Sequence, residues 1–299
     1  MSVRYDGGEV ITAMATPFNE KMEVDYSAAE KLAGYLVKNG TDSILVAGTT
    51  GESPTLTHDE ELELLSAVRN AVGNSVKIVM GAGSNCTETA VKMSKEAQKK
   101  GADALLSVVP YYNKPSQRGL IEHFGAIAKS TDLPIILYNI PGRTAINMLP
   151  ETIAALAEKY ENIVAVKQSN PDLDMVSEII AKSPDDFMVY SGDDSLTLPM
   201  LALGGHGVIS VASHLIGKDI KDMIVKFKSG DVKGAAKAHK RCFPLFKTIF
   251  IAPNPTPLKA ALQEWGVISE RVRLPLVTIS DEEKSKLFKV LANYQKAEV

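Results

Sequence analysis

The chain has 299 residues, of which 45% are hydrophobic and 23% charged, with a formal net charge of −3 and a pI near 6.0. This composition is typical of a folded protein with a large core and argues against disorder. The slightly acidic balance gives no basic field for a nucleic-acid backbone, so small molecules are the expected ligands. A chain of this length can form two ordinary domains or one large α/β domain.

The amino terminus and the cysteines predict a cytoplasmic protein without zinc or disulfides. Residues 1–6 contain no basic segment leading into an apolar stretch, and no apolar run reaches membrane-spanning length. Cys86 and Cys242 have no Cys or His neighbours at metal-ligand spacing, so both are expected to be reduced thiols.

Short apolar runs alternate along the chain with longer amphipathic segments. The apolar runs predict eight strands, at 10–18, 43–47, 76–81, 104–109, 134–140, 163–169, 187–191 and 207–212. Segments of helical period lie between them, at 26–39, 58–72, 88–100, 117–129, 151–160 and 173–182. Thr57 followed by Glu60 forms a capping-box pattern, which supports a helix that begins at residue 58.

The strand-then-helix alternation predicts an α/β fold, a (β/α)₈ TIM barrel whose strands are covered on both faces. An open doubly wound sheet is the alternative, but residues 81–86 lack the third glycine of a dinucleotide fingerprint, and loop 48–52 lacks the lysine of a phosphate loop. Further helical segments at 219–228, 232–250, 257–264 and 281–295 predict a C-terminal α-helical extension. We therefore predict a catalytic barrel over residues 1–224 and a helical domain over residues 225–299.

Lys167 lies inside the apolar run IVAVKQS at residues 163–169, where a strand normally avoids an ammonium group. Burial disfavours the charged form of an amine, so a lysine in this position can act as a nucleophile toward a carbonyl carbon. The alternative is a lysine that extends its head to solvent or pairs with a carboxylate. The other polar residues at strand ends decide between these readings, because side chains from different strands converge at the carboxyl-terminal face of a barrel.

The loop after the second predicted strand, GTTGES at residues 48–53, combines flexible glycines with two threonine hydroxyls. Such a loop can present N–H and O–H donors to a small carboxylate, although the same residue types are common in ordinary strand-to-helix turns. The fourth strand ends at Tyr111 and Tyr112, either of which could act in proton transfer or pack at the barrel rim or a subunit interface.

The fifth strand ends in Tyr138, and the strand that follows carries Lys167, so the two side chains are expected to be neighbours. A phenol beside a reactive amine can shuttle protons while a carbinolamine forms and dehydrates. Arg143 offers a bidentate fork to a substrate carboxylate, and a surface salt bridge is the alternative. Gly192 and Ile209, at the ends of the last two strands, are expected to line the pocket through backbone atoms.

No metal site is predicted. The adjacent acids Asp193 and Asp194 have no histidine or further acid nearby in sequence, and such pairs commonly cap a helix start. The five histidines, which show no ligand spacing and are expected to be structural, are His58, His123, His206, His214 and His239.

With GTTGE at 48–52, the Tyr111-Tyr112 pair, YNIPGRT at 138–144 and Val166-Lys167 in this order, essentially the whole chain resembles the dihydrodipicolinate synthase family. This family belongs to the pyruvate-dependent class I aldolase group, which also contains N-acetylneuraminate lyase. The resemblance implies a barrel with a C-terminal helical domain. It also implies a carbon–oxygen lyase of the diaminopimelate route to lysine, which condenses pyruvate with L-aspartate 4-semialdehyde without a cofactor.

The resemblance also implies roles for individual residues. Lys167 would form the imine with pyruvate, Thr49 and Thr50 would hold the pyruvate carboxylate, and Tyr138 would be the general acid-base. Thr50 and Tyr112 match the positions that complete a proton relay with Tyr138, where this second tyrosine comes from a neighbouring subunit. A homo-oligomer is therefore implied, commonly a tetramer built from two tight dimers.

Arg143 matches the residue that receives the carboxylate of aspartate semialdehyde, and the lyase branch usually lacks an arginine there. The alternatives are a lyase or aldolase acting on a sugar-derived 2-keto acid, and a non-catalytic keto-acid-binding protein.

Lysine-inhibited members of the family carry a histidine and a glutamate where this chain has Glu61 and Thr89. The residues that still match their allosteric pocket are Ser53, His58, Asn85 and Tyr111. The sequence therefore predicts weak or absent inhibition by lysine.

Overall fold

Eight parallel strands close into a barrel in the computed structural model, which describes residues 5–296. The strands are β1 (Val10–Ala13), β2 (Ser43–Val46), β3 (Lys77–Gly81), β4 (Ala104–Val108), β5 (Ile135–Asn139), β6 (Ile163–Gln168), β7 (Met188–Ser191) and β8 (Gly207–Ser210). Each strand pairs with its neighbours in sequence, and β8 pairs with β1, so the sheet has no open edge. The predicted (β/α)₈ barrel is confirmed, and the doubly wound sheet is excluded.

Helices cover the outside of the barrel in the order that the sequence predicts. They are α1 (Tyr26–Lys38), α2 (His58–Val72), α3 (Thr87–Lys99), α4 (Gln117–Ala128), α5 (Pro141–Thr144), α6 (Pro150–Lys159), α7 (Leu173–Lys182), α8 (Thr197–Ala202) and α9 (Ser213–Lys228). The capping box at Thr57 and Glu60 is formed, with the Thr57 hydroxyl accepting from the Glu60 N–H and the Glu60 carboxylate accepting from the Thr57 N–H. The single-turn helix α5 and the short helix α8 were not predicted, because neither is long enough to show helical periodicity.

The strands carry two separate apolar clusters because successive side chains point to opposite faces of a sheet. Ile11, Leu45, Val79 and Leu106 belong to the cluster that fills the barrel interior. The alternate residues pack outward against the helices, as Ile44 and Met80 do. Tyr138 of β5 belongs to the interior cluster, so its side chain faces the barrel axis.

The predicted C-terminal helices are present as α10 (Val232–Thr248), α11 (Thr256–Glu264) and α12 (Asp281–Leu291). The division into domains at residues 224 and 225 stays a prediction, and that boundary falls within α9. Over residues 5–296, none of the helices is both long enough and apolar enough to cross a membrane.

His214 joins the ends of two strands from a completely buried position at the start of α9. Its Nε2 accepts from the Ala15 N–H at 3.1 Å, so Nδ1 carries the proton and donates to the Val211 carbonyl at 2.8 Å. Both ring nitrogens are therefore used in the neutral form, which confirms the structural role expected for this histidine. Burial lowers the pKa of His214 to about 4, and the hydrogen bond to Val211 opposes that shift.

Replacing His214 with Gln should remove a pH-dependent loss of stability. The folded protein resists protonation of His214, whereas the unfolded chain accepts a proton below the ordinary pKa of 6.5. As the pH falls from 6.5 to 4, the wild type should lose up to about 3 kcal/mol of unfolding free energy relative to the variant. Urea unfolding at pH 7.5 and 4.5 measures this, and a difference between the two proteins that does not change with pH would contradict it.

Candidate active site

The side chains of Tyr138 and Lys167 meet at the carboxyl-terminal end of the barrel. β5 and β6 are paired so that these two residues lie directly opposite each other. The Lys167 Nζ lies 4.3 Å from the centroid of the Tyr138 ring, and the two residues are 6% and 5% exposed. The side chains of Tyr138 and Lys167 are therefore neighbours in the folded chain, as predicted.

Lys167 has no counter-ion among residues 5–296, since none of their carboxylates lies within ion-pair distance of its Nζ. The chain contains a second buried lysine, Lys259, that shows the contrast. Lys259 pairs with the Glu52 carboxylate and donates to the Arg271 carbonyl at 2.7 Å. The alternative reading, a lysine that is buried because it pairs with an acid, describes Lys259 and not Lys167.

Gly192 lies against the stem of Lys167. A Cβ at position 192 would lie 3.1 Å from the Lys167 Cε and within bonding distance of the Ser169 hydroxyl. Gly192 therefore lies next to Lys167, and the absence of a side chain makes that approach possible. The prediction that Gly192 and Ile209 line the pocket through backbone atoms stays a prediction. Ile209 is 1% exposed and packs in the barrel interior.

A cavity of about 450 Å³ opens beside Tyr138, and its wall includes Thr49, Tyr111, Tyr138 and Arg143, whereas Lys167 is not among the residues that line it. No acid of the described chain pairs with the Arg143 guanidinium, so the surface salt bridge considered as its alternative is not formed there. An arginine that lines a cavity without a counter-ion is suited to receive an anionic group.

Buried amides hold the segment that carries Arg143. Asn139 follows Tyr138 in β5 and faces outward, where its Nδ2 donates to Gln168 Oε1 at 3.1 Å and to Asn147 Oδ1 at 2.7 Å. Its Oδ1 accepts from the Met148 N–H at 3.0 Å. These bonds connect both ends of residues 140–148 to the strands that carry Tyr138 and Lys167. This network was not predicted from the sequence. Its signal was a polar residue directly after each of the two candidate residues: Asn139 follows Tyr138, and Gln168 follows Lys167.

The threonines of loop 48–52 do not share one environment. Thr49 lines the cavity, whereas Thr50 is 3% exposed and its Oγ1 accepts from the Asn254 amide at 2.9 Å. Glu52 adopts a left-handed backbone with φ of 57° and is held by Lys259 and by the Arg273 N–H. Burial lowers the pKa of Lys259 to about 8, and the nearby Glu52 carboxylate opposes that shift.

The contacts that Asn254, Lys259 and Arg273 of the C-terminal extension make with loop 48–52 were not predicted from the sequence. Lys259 is a charged residue inside the apolar helix α11, which is the same kind of signal that singled out Lys167 in β6. Which loop a residue of the extension touches depends on how the extension packs, and no local pattern gives that.

Tyr112 points away from the chain, with 89% of its surface exposed and a left-handed φ of 72°. Within one chain it does not line the cavity that contains Tyr138, so the relay predicted for it is not assembled by this chain alone.

The cavity extends to the residues predicted for an allosteric pocket. Ser53, His58 and Tyr111 line it, whereas Asn85 does not and instead accepts from Asn113 through its carbonyl. Glu61 of α2 also lines it, is 5% exposed and accepts from the Ser53 hydroxyl at 2.6 Å. Burial raises the pKa of Glu61 to about 7, against the lowering effect of the Ser53 hydrogen bond.

The paired acids at the end of β7 are engaged with the backbone. Asp193 accepts from the Ser195 N–H at 2.9 Å, and Asp194 accepts from the N–H groups of Val211 and Ala212 at 3.2 and 3.0 Å. Asp193 thus caps the turn that it begins, as expected, whereas Asp194 binds the distant backbone between β8 and α9. In the part of the chain that the structure describes, no three His, Cys, Asp or Glu side chains are grouped so that they could hold a metal.

The closed barrel, its helical extension and the buried lysine on β6 place the chain in the class of (β/α)₈ barrels with a polar site at the carboxyl-terminal face. Within that class, the sequence model of the Dihydrodipicolinate synthetase family matches residues 6–294, and this chain belongs to that family. The family predicted from the sequence is therefore confirmed.

Relatives and solved structures agree with this family. A protein of Heliobacterium modesticaldum named 4-hydroxy-tetrahydrodipicolinate synthase is 51% identical over 287 residues, which are 96% of this chain and 95% of the relative. The crystal structure of a dihydrodipicolinate synthase from Bacillus anthracis superposes with a TM-score of 0.95 at 45% identity and covers 98% of this chain and 100% of that one. The synthase of Cyanidioschyzon merolae, solved with lysine bound, has a TM-score of 0.94 at 49% identity and covers 96% and 98%.

Replacing Glu61 with Gln should stabilise the protein at alkaline pH relative to the wild type. Since the folded-state pKa is about 7 and the ordinary value is 4.5, the stability contributed by protonated Glu61 is complete below pH 4.5 and is lost as the pH rises through 7. The variant should therefore gain up to about 3 kcal/mol over the wild type between pH 4.5 and 8.

Unfolding free energies at pH 5 and 8 measure this difference. Glu63→Gln, which changes an exposed acid on the same helix, serves as the control. A gain of equal size in the Glu63 variant would contradict the explanation by burial.

Proposed function

We propose that this protein condenses pyruvate with L-aspartate 4-semialdehyde, the reaction of 4-hydroxy-tetrahydrodipicolinate synthases in the diaminopimelate route to lysine. The observation that carries the proposal is the buried Lys167 amine, which has no counter-ion among the described residues and lies 4.3 Å from the Tyr138 ring centroid. The relatives' names and their full-length similarity support the same reaction.

In the proposed mechanism the Lys167 amine attacks the keto carbon of pyruvate. Tyr138 donates a proton to the departing oxygen, and water leaves as the iminium forms. Loss of a methyl proton then gives an enamine, because the iminium accepts the electron pair that is released. The enamine carbon attacks the aldehyde of the second substrate, whose own amine displaces Lys167 by ring closure. The iminium is the electron sink, so we propose that no metal or organic cofactor takes part.

We assign different tasks to the two threonines. Sequence analysis predicts the relay hydroxyl at Thr50, but Thr49 lines the cavity with Tyr138, which favours Thr49 for proton relay. Thr50 is buried behind it with its oxygen already accepting a hydrogen bond, which favours a donor role toward the pyruvate carboxylate.

The exposed phenol of Tyr112 supports a relay completed by a second copy of the chain. A tyrosine in a left-handed turn with 89% of its surface free cannot be there for packing within its own barrel. We propose at least a dimer, in which each Tyr112 enters the partner's cavity, and a tetramer as a dimer of dimers.

We further propose that lysine inhibits this enzyme weakly or not at all. The relevant part of the cavity retains Ser53, His58 and Tyr111, but Glu61, whose pKa burial raises to about 7, stands in a position where inhibited relatives carry histidine.

Reduction with borohydride in the presence of pyruvate should add a pyruvate-derived mass to Lys167, which peptide mapping locates. Lys259 is the internal control, because it is equally buried but tied to Glu52. Lys167→Ala should lose the adduct and lower turnover about a thousandfold or more. An unmodified Lys167, or an adduct on Lys259, would overturn the proposal.

Arg143→Ala should raise the KM for aspartate semialdehyde by about 10- to 100-fold, because a charge-assisted pair with its carboxylate is lost. Formation of the pyruvate adduct should not change, since that step precedes the second substrate. The matched control is Arg118→Ala, which removes an exposed arginine outside the cavity wall. Equal effects of the two variants on KM, or a parallel loss of adduct formation in Arg143→Ala, would refute this role.

A further inference from the structure

One side-chain amide of the C-terminal extension reaches Thr50 of the proposed pyruvate loop. Asn254 lies just before α11, and its Nδ2 donates to the Thr50 Oγ1 at 2.9 Å. The contact joins residues 204 positions apart in sequence, and both are buried, with 8% and 3% of their surfaces exposed.

The backbone of the loop is held by other contacts. The Thr16 hydroxyl donates to the Gly51 carbonyl at 2.6 Å, and the Arg273 N–H donates to the Glu52 carboxylate at 3.0 Å. Lys259 forms the buried ion pair with that same carboxylate. Loss of the Asn254 amide would therefore leave the loop in place and release only the Thr50 side chain.

The direction of the hydrogen bond determines what the Thr50 hydroxyl can do. A threonine hydroxyl has one proton to donate and two lone pairs that accept, whereas an amide N–H can only donate. The Asn254 N–H therefore takes a lone pair of Oγ1 and leaves the hydroxyl proton free. Within residues 5–296, the Thr50 side chain makes no second hydrogen bond that would use this proton.

The carbonyl oxygen of the Asn254 amide indicates that this residue is not present for stability alone. Its Oδ1 is buried and finds no hydrogen-bond partner in the described chain. A buried acceptor without a partner is a net cost to folding, so an asparagine here needs another justification.

We propose that Asn254 is a positioning residue, whose amide fixes the rotamer and proton of the Thr50 hydroxyl so that Thr50 donates to the carboxylate of the 2-keto acid substrate. This inference rests on the proposed function, because it needs pyruvate bound at loop 48–52. Asn254 does not touch the substrate, and its effect passes entirely through Thr50.

The test is a double-mutant cycle with Asn254→Leu, which removes the amide at similar volume, and Thr50→Val, which removes the hydroxyl. Each single variant should raise the pyruvate concentration for half-maximal adduct formation on Lys167 about tenfold, while the rate at saturating pyruvate changes less. The double variant should be no worse than Thr50→Val alone, because Asn254 then has no hydroxyl to orient.

Asn39→Leu is the matched control, since Asn39 is an equally buried amide that donates to the Ser213 and His214 carbonyls at 3.1 Å. It should lower the unfolding midpoint without changing the pyruvate dependence. If Asn254→Leu does not fold, Asn254→Ser replaces it in the same cycle.

Two outcomes would overturn the inference. In the first, the double variant raises the pyruvate concentration for half-maximal adduct formation by the product of the two single-variant factors. In the second, Asn254→Leu lowers the unfolding midpoint but leaves the pyruvate dependence unchanged. Failure of the underlying function is distinguishable, because the wild type itself would then form no adduct on Lys167.

Discussion

The candidate active site depends on one contact, in which the Lys167 amine is buried against the Tyr138 ring. Among the described residues, no carboxylate lies within ion-pair distance of this amine, although buried charges in proteins are usually paired. Lys259 shows the other solution, in which a counter-ion compensates the buried charge. Lys167 is the proposed nucleophile, whereas Lys259 belongs to the framework that holds the threonine loop.

The framework holds the site from two directions. The outward amides Asn139 and Gln168 hold the segment that carries Arg143, while Lys259 and Asn254 secure the threonine loop from the C-terminal extension. The extension is therefore part of the site's construction, even though none of its residues lines the cavity. A barrel alone would supply the strands and leave the threonine loop without these supports.

Much of this could be predicted from the sequence, and the remainder has physical reasons. Strands and helices were predictable because hydrophobic periodicity and helix-capping residues are properties of neighbouring residues in the sequence. The helices α2 and α7 begin and end at the predicted residues. Lys167 and Tyr138 were predictable because they interrupt or end apolar runs on consecutive strands. The bond between Asn254 and Thr50 was not, since it joins distant segments through packing. Nor did any local pattern separate Thr49 from Thr50, because burial decides between two adjacent residues of the same type.

The register between β5 and β6 has a consequence for which groups face the barrel axis. Ile135 lies opposite Ile163 but Ile136 lies opposite Ala165, so Val164 is one residue more than a regular pairing needs. If the same residues paired without this shift, Asn139 would lie opposite Lys167, and the amine would turn outward into the helical layer. The register shift at Val164 thus determines which face each later residue of β6 points to, so that an amine rather than an aliphatic side chain meets the phenol of Tyr138.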